Sequence, residues 1–278
     1  MKRAVKILTV LDILFILLLS LSGSTSGVFR DILYLLAFWL PLLLGVRASA
    51  GFKREREGRA GLAEGEPVGI GLSREGARTF LPLVVPTVAL VFVAAFLTSA
   101  LLGLLGYTPS AVPDQPFAIQ LLVHALAPAI FEELLFRYLP IKLLYGYSPR
   151  GCVLISALYF ALIHLDIFKM PYAFIAGVLF VMIDLACDSI LPSLIIHFVN
   201  NAASLVTMKF GHIPNFLMVF YVSFGALAVI SLVFVFIGRR KYLSAVKEVL
   251  KKGELSYDYS PVMLSLLCVG VALINLIA

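Results

Sequence analysis

The sequence predicts an all-α fold, a polytopic membrane helical bundle with about eight to nine transmembrane helices. Three observations carry that prediction. Of 278 residues, 61% are hydrophobic and 14% charged, and mean hydropathy is +1.03; soluble domains lie nearer about 45–50% and 25%. Apolar runs of the roughly 20 residues needed to cross hydrocarbon recur along the whole chain. Basic residues gather in alternate connections, as they do where positive charge fixes topology.

The elements follow in order. Ala4–Leu21 comes after Lys2, Arg3 and Lys6; Asp12 and the length of the run mark it as a spanning helix and not a secretory leader. Val28–Val46 is the second span. The mixed-charge, Gly-rich linker "GFKREREGRAGLAEGEPVG" then leads to Thr79–Gly106. A proline-rich loop, "YTPSAVPDQP", precedes Ala118–Leu144, and the short turn "YGYSPRG" opens Gly151–Leu165. Tyr172–Cys187, Ile190–Met208 and Phe216–Gly238 follow. In "RRKYLSAVKEVLKKGELSYDYS", Tyr242, Leu243, Val246, Val249 and Leu250 recur at helical spacing among lysines, a pattern suited to the membrane interface. Val262–Ala278 is the last span. Residues 1–278 read as a single polytopic membrane domain.

With the N-terminus cytoplasmic, 19 of the 22 Lys and Arg residues fall on the inner side, leaving Arg30, Lys169 and Lys209 outside. The net charge of +6 is then a matter of topology, and nucleic acid is not an implied partner. Cys152, Cys187 and Cys268 stand singly, without the spacing of a zinc ribbon or a disulfide framework, and read as buried thiols.

Ionisable residues inside a membrane are costly, about 2.5–3.5 kcal/mol each on insertion scales, and therefore point to function. They concentrate in consecutive spans: His124, Glu132, Glu133 and Arg137 in the fourth, His164 in the fifth, Asp184 in the sixth, and His197 with Asn200 and Asn201 in the seventh. Glu132 and His164 are equidistant in sequence from Ser148, so a helical hairpin places both about 20–24 Å from the turn. Glu132 and Glu133 point about 100° apart on a helix. Glu133 and Arg137 are i,i+4 in the acid-first order that favours pairing, which leaves Glu132 without a local cation. Phe160 and His164 are also i,i+4, as are His197 and Asn201. His124 and Asp184 read as structural or pore-facing polar residues.

"EELLFR", "FALIH" and "HFVNN" match E-E-x-x-x-R, F-x-x-x-H and H-x-x-x-N, in that order. The set resembles the CAAX prenyl endopeptidases of the Ras-converting type and their prokaryotic relatives, the CAAX proteases and bacteriocin-processing enzymes. The likeness covers residues 117–208, which it marks as a catalytic core. It implies an intramembrane endopeptidase with Glu132, His164, His197 and Asn201 as catalytic residues. Glu132 with His164 would activate water, and His197 with Asn201 would donate to the developing oxyanion. Arg137 would hold Glu133, with Phe160 in support. The implied chemistry uses no cofactor and no metal. The implied substrate is a lipidated or C-terminal peptide reached through the membrane lipid.

Other readings compete. Two histidines and a carboxylate could bind zinc, although H-E-x-x-H is absent. A serine enzyme lacks G-x-S-x-G. A non-proteolytic immunity or scaffold protein would keep the family's span pattern, and a proton-coupled transporter would also place Glu and His in membrane spans.

Overall fold

The computed structural model describes residues 1–57, 68–72, 74–106, 115–145, 148–251 and 260–277. The proline-rich loop at 107–114, most of the Gly-rich linker and the stretch 252–259 lie outside the described residues. Those described form nine helices and no strand. They are α1 Lys2–Gly23, α2 Gly27–Glu57, α3 Arg74–Leu104, α4 Phe117–Leu144, α5 Pro149–Leu162, α6 Met170–Cys187, α7 Leu191–Phe210, α8 Phe216–Lys251 and α9 Ser260–Ile277.

Seven of them contain a stretch long and apolar enough to cross a bilayer, and α5 and α9 are shorter apolar helices. Their outward side chains are themselves apolar: Leu43, Leu97, Val222 and Leu266 are all more than half exposed. Such a surface suits lipid and not water. The protein is an integral, multi-pass membrane protein.

Several boundaries differ from the sequence expectation: α2 runs on past Val46 to Glu57, and α3 begins at Arg74, ahead of Thr79. The backbone of α8 does not stop at Gly238 but continues to Lys251; its 36 residues make a rod about 54 Å long, well beyond the ~30 Å hydrocarbon core. At the other extreme, α5 ends at Leu162, and Leu165 adopts φ +46°. His164 therefore sits in the turn after the helix. The start of α5 follows from its sequence: Ser148 is the N-cap, its hydroxyl accepting from Gly151 N–H at 3.1 Å, and Pro149 occupies the first turn, where no N–H is needed.

The chain packs as two compact units. The first comprises Met1–Val68, Leu134–Val181 and Val249–Ala278. In it α1 and α2 form a helical hairpin, with Phe15 edge-on to Phe38 and Phe136 at 5.1 and 5.7 Å between ring centroids. Small residues let backbones approach. A Cβ on Gly177 of α6 would lie 2.9 Å from the Ala157 Cα of α5, so only glycine permits that crossing. Asp12 is buried here, and neither carboxylate oxygen meets a hydrogen-bond donor among the described residues. All three cysteines are buried free thiols.

The second unit comprises Gly69–Glu133 and Met182–Glu248. Its helices are α3, the first part of α4, the end of α6, α7 and most of α8. Phe92 of α3 stacks on Phe224 of α8 at 4.1 Å. At one end, Gly69 N–H donates to the Asp188 carbonyl and Ile190 N–H to the Gly69 carbonyl, both at 3.1 Å. Ser189 adds a bond from its hydroxyl to the Ile70 carbonyl. The turn between α6 and α7 is thereby tied to the segment that precedes α3.

Candidate active site

The acidic pair sits on an interrupted helix. Within α4, Leu122–Leu126 and Leu134–Tyr138 are π-helical, and Ala127–Glu133 between them is α-helical. Each π turn ends two residues before a proline, Pro128 or Pro140. A proline gives no N–H to the carbonyl four residues back and crowds it, so the carbonyls of His124 and Phe136 lose their α-helical donors and the turn widens. For Phe136 the loss is made good within the first unit: the Ser156 hydroxyl of α5 donates to its carbonyl. Ser156 thus serves the backbone of α4.

Glu132 and Glu133 both address His197 of α7, from opposite edges of its ring. His197 Nδ1 lies 2.7 Å from Glu133 Oε1. Against a carboxylate the ring nitrogen is the donor, so Nδ1 carries a hydrogen. His197 Nε2 lies 3.8 Å from Glu132 Oε2, beyond hydrogen-bond length but within ion-pair range. Side-chain exposure is 0% for Glu133, 7% for His197 and 16% for Glu132. Glu132, which has no cation at helical spacing on α4, thus has a ring nitrogen of α7 as its neighbour. The 100° between adjacent helical positions, read in the sequence as separating the two acids, instead lets them meet the two nitrogens of one imidazole.

Arg137, Phe160 and His164 form a second contact chain, inside the first unit. The Arg137 guanidinium lies over the Phe160 ring at 3.8 Å and near the Phe180 ring at 5.1 Å, cation–π geometry in a fully buried setting. Phe160 is also edge-on to the His164 ring at 5.1 Å. His164 Nδ1 is 2.8 Å from the Phe160 carbonyl. That carbonyl accepts, so Nδ1 bears the hydrogen.

Asn201 lies one turn beyond His197 on α7 and is partly buried. Asn200 borders a cavity of about 220 Å³ whose walls include Phe92, Phe96, Phe220, Tyr221 and Phe224. A dry cavity of roughly 150 Å³ already accepts a benzene-sized guest. Two other polar residues of the spans lie elsewhere. His124 is exposed, and Asp184 is buried and bonded to Ser193. Among the described residues no group of three or more His, Cys, Asp or Glu side chains is placed to hold a metal ion.

What the sequence missed is the bond between Glu133 and His197, 64 residues apart. Spacing rules compare positions on one helix, and on α4 they offered Arg137 as the partner of Glu133. The hint available was the second carboxylate itself, since one acid would suffice to activate water.

Residues 114–203, about a third of the chain, match the family model of the type II CAAX prenyl endopeptidases, Rce1-like. This is the family that the three motifs resemble, and the matched segment contains all of them. No curated protein and no solved structure gives a match.

Proposed function

We propose that the protein is an intramembrane endopeptidase in which Glu132 activates water and His197, braced by Glu133, stabilises the oxyanion with Asn201. The observation that carries this reading is the buried cluster in which one imidazole is addressed by two carboxylates. A water oxygen about 2.8 Å from both Glu132 Oε2 and His197 Nε2 would sit beside the line that joins them, bonded to each. Water held there would lose a proton to Glu132 as its oxygen attacks the peptide carbonyl. With a second hydrogen on the ring, Nε2–H would donate to the resulting oxyanion, and the Glu133 carboxylate would support the imidazolium charge, as carboxylates do in catalytic triads. Collapse of the intermediate would expel the amine, which takes the proton from Glu132. The share of His164 in water activation is inferred from its motif, as is the role of Asn201.

The substrate in this reading is a lipidated or C-terminal peptide. The aromatic cavity beside Asn200 is a place for an apolar portion of it, one turn of α7 from His197. The basic-residue distribution puts the catalytic cluster on the cytoplasmic side. The tie between Gly69 and Asp188 fits the span order, which puts both segments on one face, whichever face that is. The test is mass spectrometry of a peptide library, lipidated and unmodified, incubated with purified protein in proteoliposomes. Discrete cleavage that requires Glu132 supports the reading; no cleavage of any member contradicts it and favours a non-proteolytic role.

A further inference from the structure

His197 can do its work only if α7 presents it at a fixed rotation, and the start of α7 is held in an unusual way. The N-cap position is Ile190, whose side chain cannot accept a hydrogen bond. The N–H groups that a helix start leaves without partners are nevertheless all accounted for. Leu191 N–H donates to the Ser189 hydroxyl at 3.1 Å. Pro192 has none. Leu194 N–H begins the helical ladder at the Ile190 carbonyl. Ser193 N–H goes to Oδ1 of Asp184 on the preceding helix, at 3.1 Å. The Ser193 hydroxyl is 2.7 Å from Asp184 Oδ2 and 3.0 Å from the Ile190 carbonyl. Asp184 and Ser193 are both fully buried.

We propose that Asp184 is a positioning residue for His197, acting through Ser193 as a cap borrowed from the neighbouring helix. Both carboxylate oxygens engage the same residue, so the clamp fixes the rotation of α7 as well as its start. Ser193 and His197 are i,i+4 and lie on one face. A 15° rotation of the helix would move an atom about 5 Å from its axis by about 1.3 Å. The 2.7 Å bond from His197 to Glu133 would not survive that shift. A negative group at a helix N-terminus is also electrostatically favoured. The turn at 188–190 has its own ties to Gly69 and Ile70, so removing the clamp leaves the corner in place and lets the first turn of α7 drift.

The kinetic arm of the test rests on the endopeptidase reading; the spectroscopic arm does not. With 15N-histidine label, only four histidines report, and His197→Gln assigns the signal of the Nδ1–H bonded to Glu133. Asp184→Ala should shift or broaden that signal. It should also lower kcat about a hundredfold, the usual cost of a misplacement near 1 Å, while KM stays within about threefold. Asp184→Asn keeps an acceptor for Ser193 N–H and an amide that the serine hydroxyl can accept from; it should restore the signal and keep kcat within about tenfold of the parent. An unmoved signal in Asp184→Ala, with lower thermal stability alone, would overturn the proposal in favour of a purely structural residue. So would a folded Asp184→Asn that restores nothing, because the charge and not the clamp would then matter. If the parent protein cleaves no peptide, the endopeptidase reading falls, and the response of the signal alone decides the role of Asp184.

Discussion

Replacing Glu133 with Gln tests the brace on the imidazole. The bond to His197 Nδ1 is 2.7 Å long between side chains that are 0% and 7% exposed, so water neither competes for it nor screens it. Hydrogen bonds to a charged group contribute about 1.5–3 kcal/mol and neutral ones about 0.5–1.5. Glutamine keeps an acceptor in the same place and loses only the charge. The expected loss is therefore about 1–1.5 kcal/mol of stability, and about tenfold or more in kcat, because each 1.36 kcal/mol is a factor of ten. Glu133→Ala removes the acceptor as well and leaves a buried N–H unpaired, at about 1–3 kcal/mol further. Unfolding in mixed micelles and cleavage of a reporter peptide measure the two effects, and the order should be Glu, then Gln, then Ala in both. A Gln variant with parental kcat and parental stability would refute the claim that the Glu133 charge serves His197.

Three further outcomes are expected. Gly177→Ala should destabilise the protein by about 1–3 kcal/mol, because the new Cβ meets the Ala157 backbone at 2.9 Å; an unchanged unfolding midpoint would contradict the close packing of α6 on α5. Asp12→Asn should raise stability by at least about 1 kcal/mol, since a buried carboxylate that no donor among the described residues meets costs more than an amide, whereas a fall would reveal a partner for Asp12. A charged thiol reagent should label Arg150→Cys only from the cytoplasmic face and Arg30→Cys only from the outer face of sealed vesicles, both positions being exposed, in a background without the native cysteines; the reverse pattern would invert the topology.

Much of the architecture is legible in the sequence because the bilayer makes the rules simple. A spanning segment must be long and apolar; each of the nine apolar runs falls on a helix of the described residues, and seven of those helices are long enough to cross. Where the sequence reading stops short, local spacing is the reason. The π turns of α4 follow from Pro128 and Pro140, which were visible, and they change the helical repeat through residues 134–138. The partner of Glu133 on α7 is a tertiary contact that no spacing encodes. His164 was placed inside a span, whereas the positive φ at Leu165 puts it in a turn. Asp184 reads in the sequence only as a structural or pore-facing polar residue, because its partner, Ser193, belongs to the next helix. The F-x-x-x-H contact was readable, since Phe160 and His164 do pack edge to face at the distance that i,i+4 spacing implies.

The central claim is that Glu132 activates water, and Glu132→Gln tests it most directly. Glu132 is the more exposed acid of the pair and glutamine has the same shape, so the substitution should disturb the fold little. Cleavage of a reporter peptide in proteoliposomes should fall by at least about a thousandfold, as expected when a general base is lost. The unfolding midpoint and the Nδ1–H signal of His197 should stay at their parental values. A Glu132→Gln protein that is folded and cleaves at the parental rate would contradict the account.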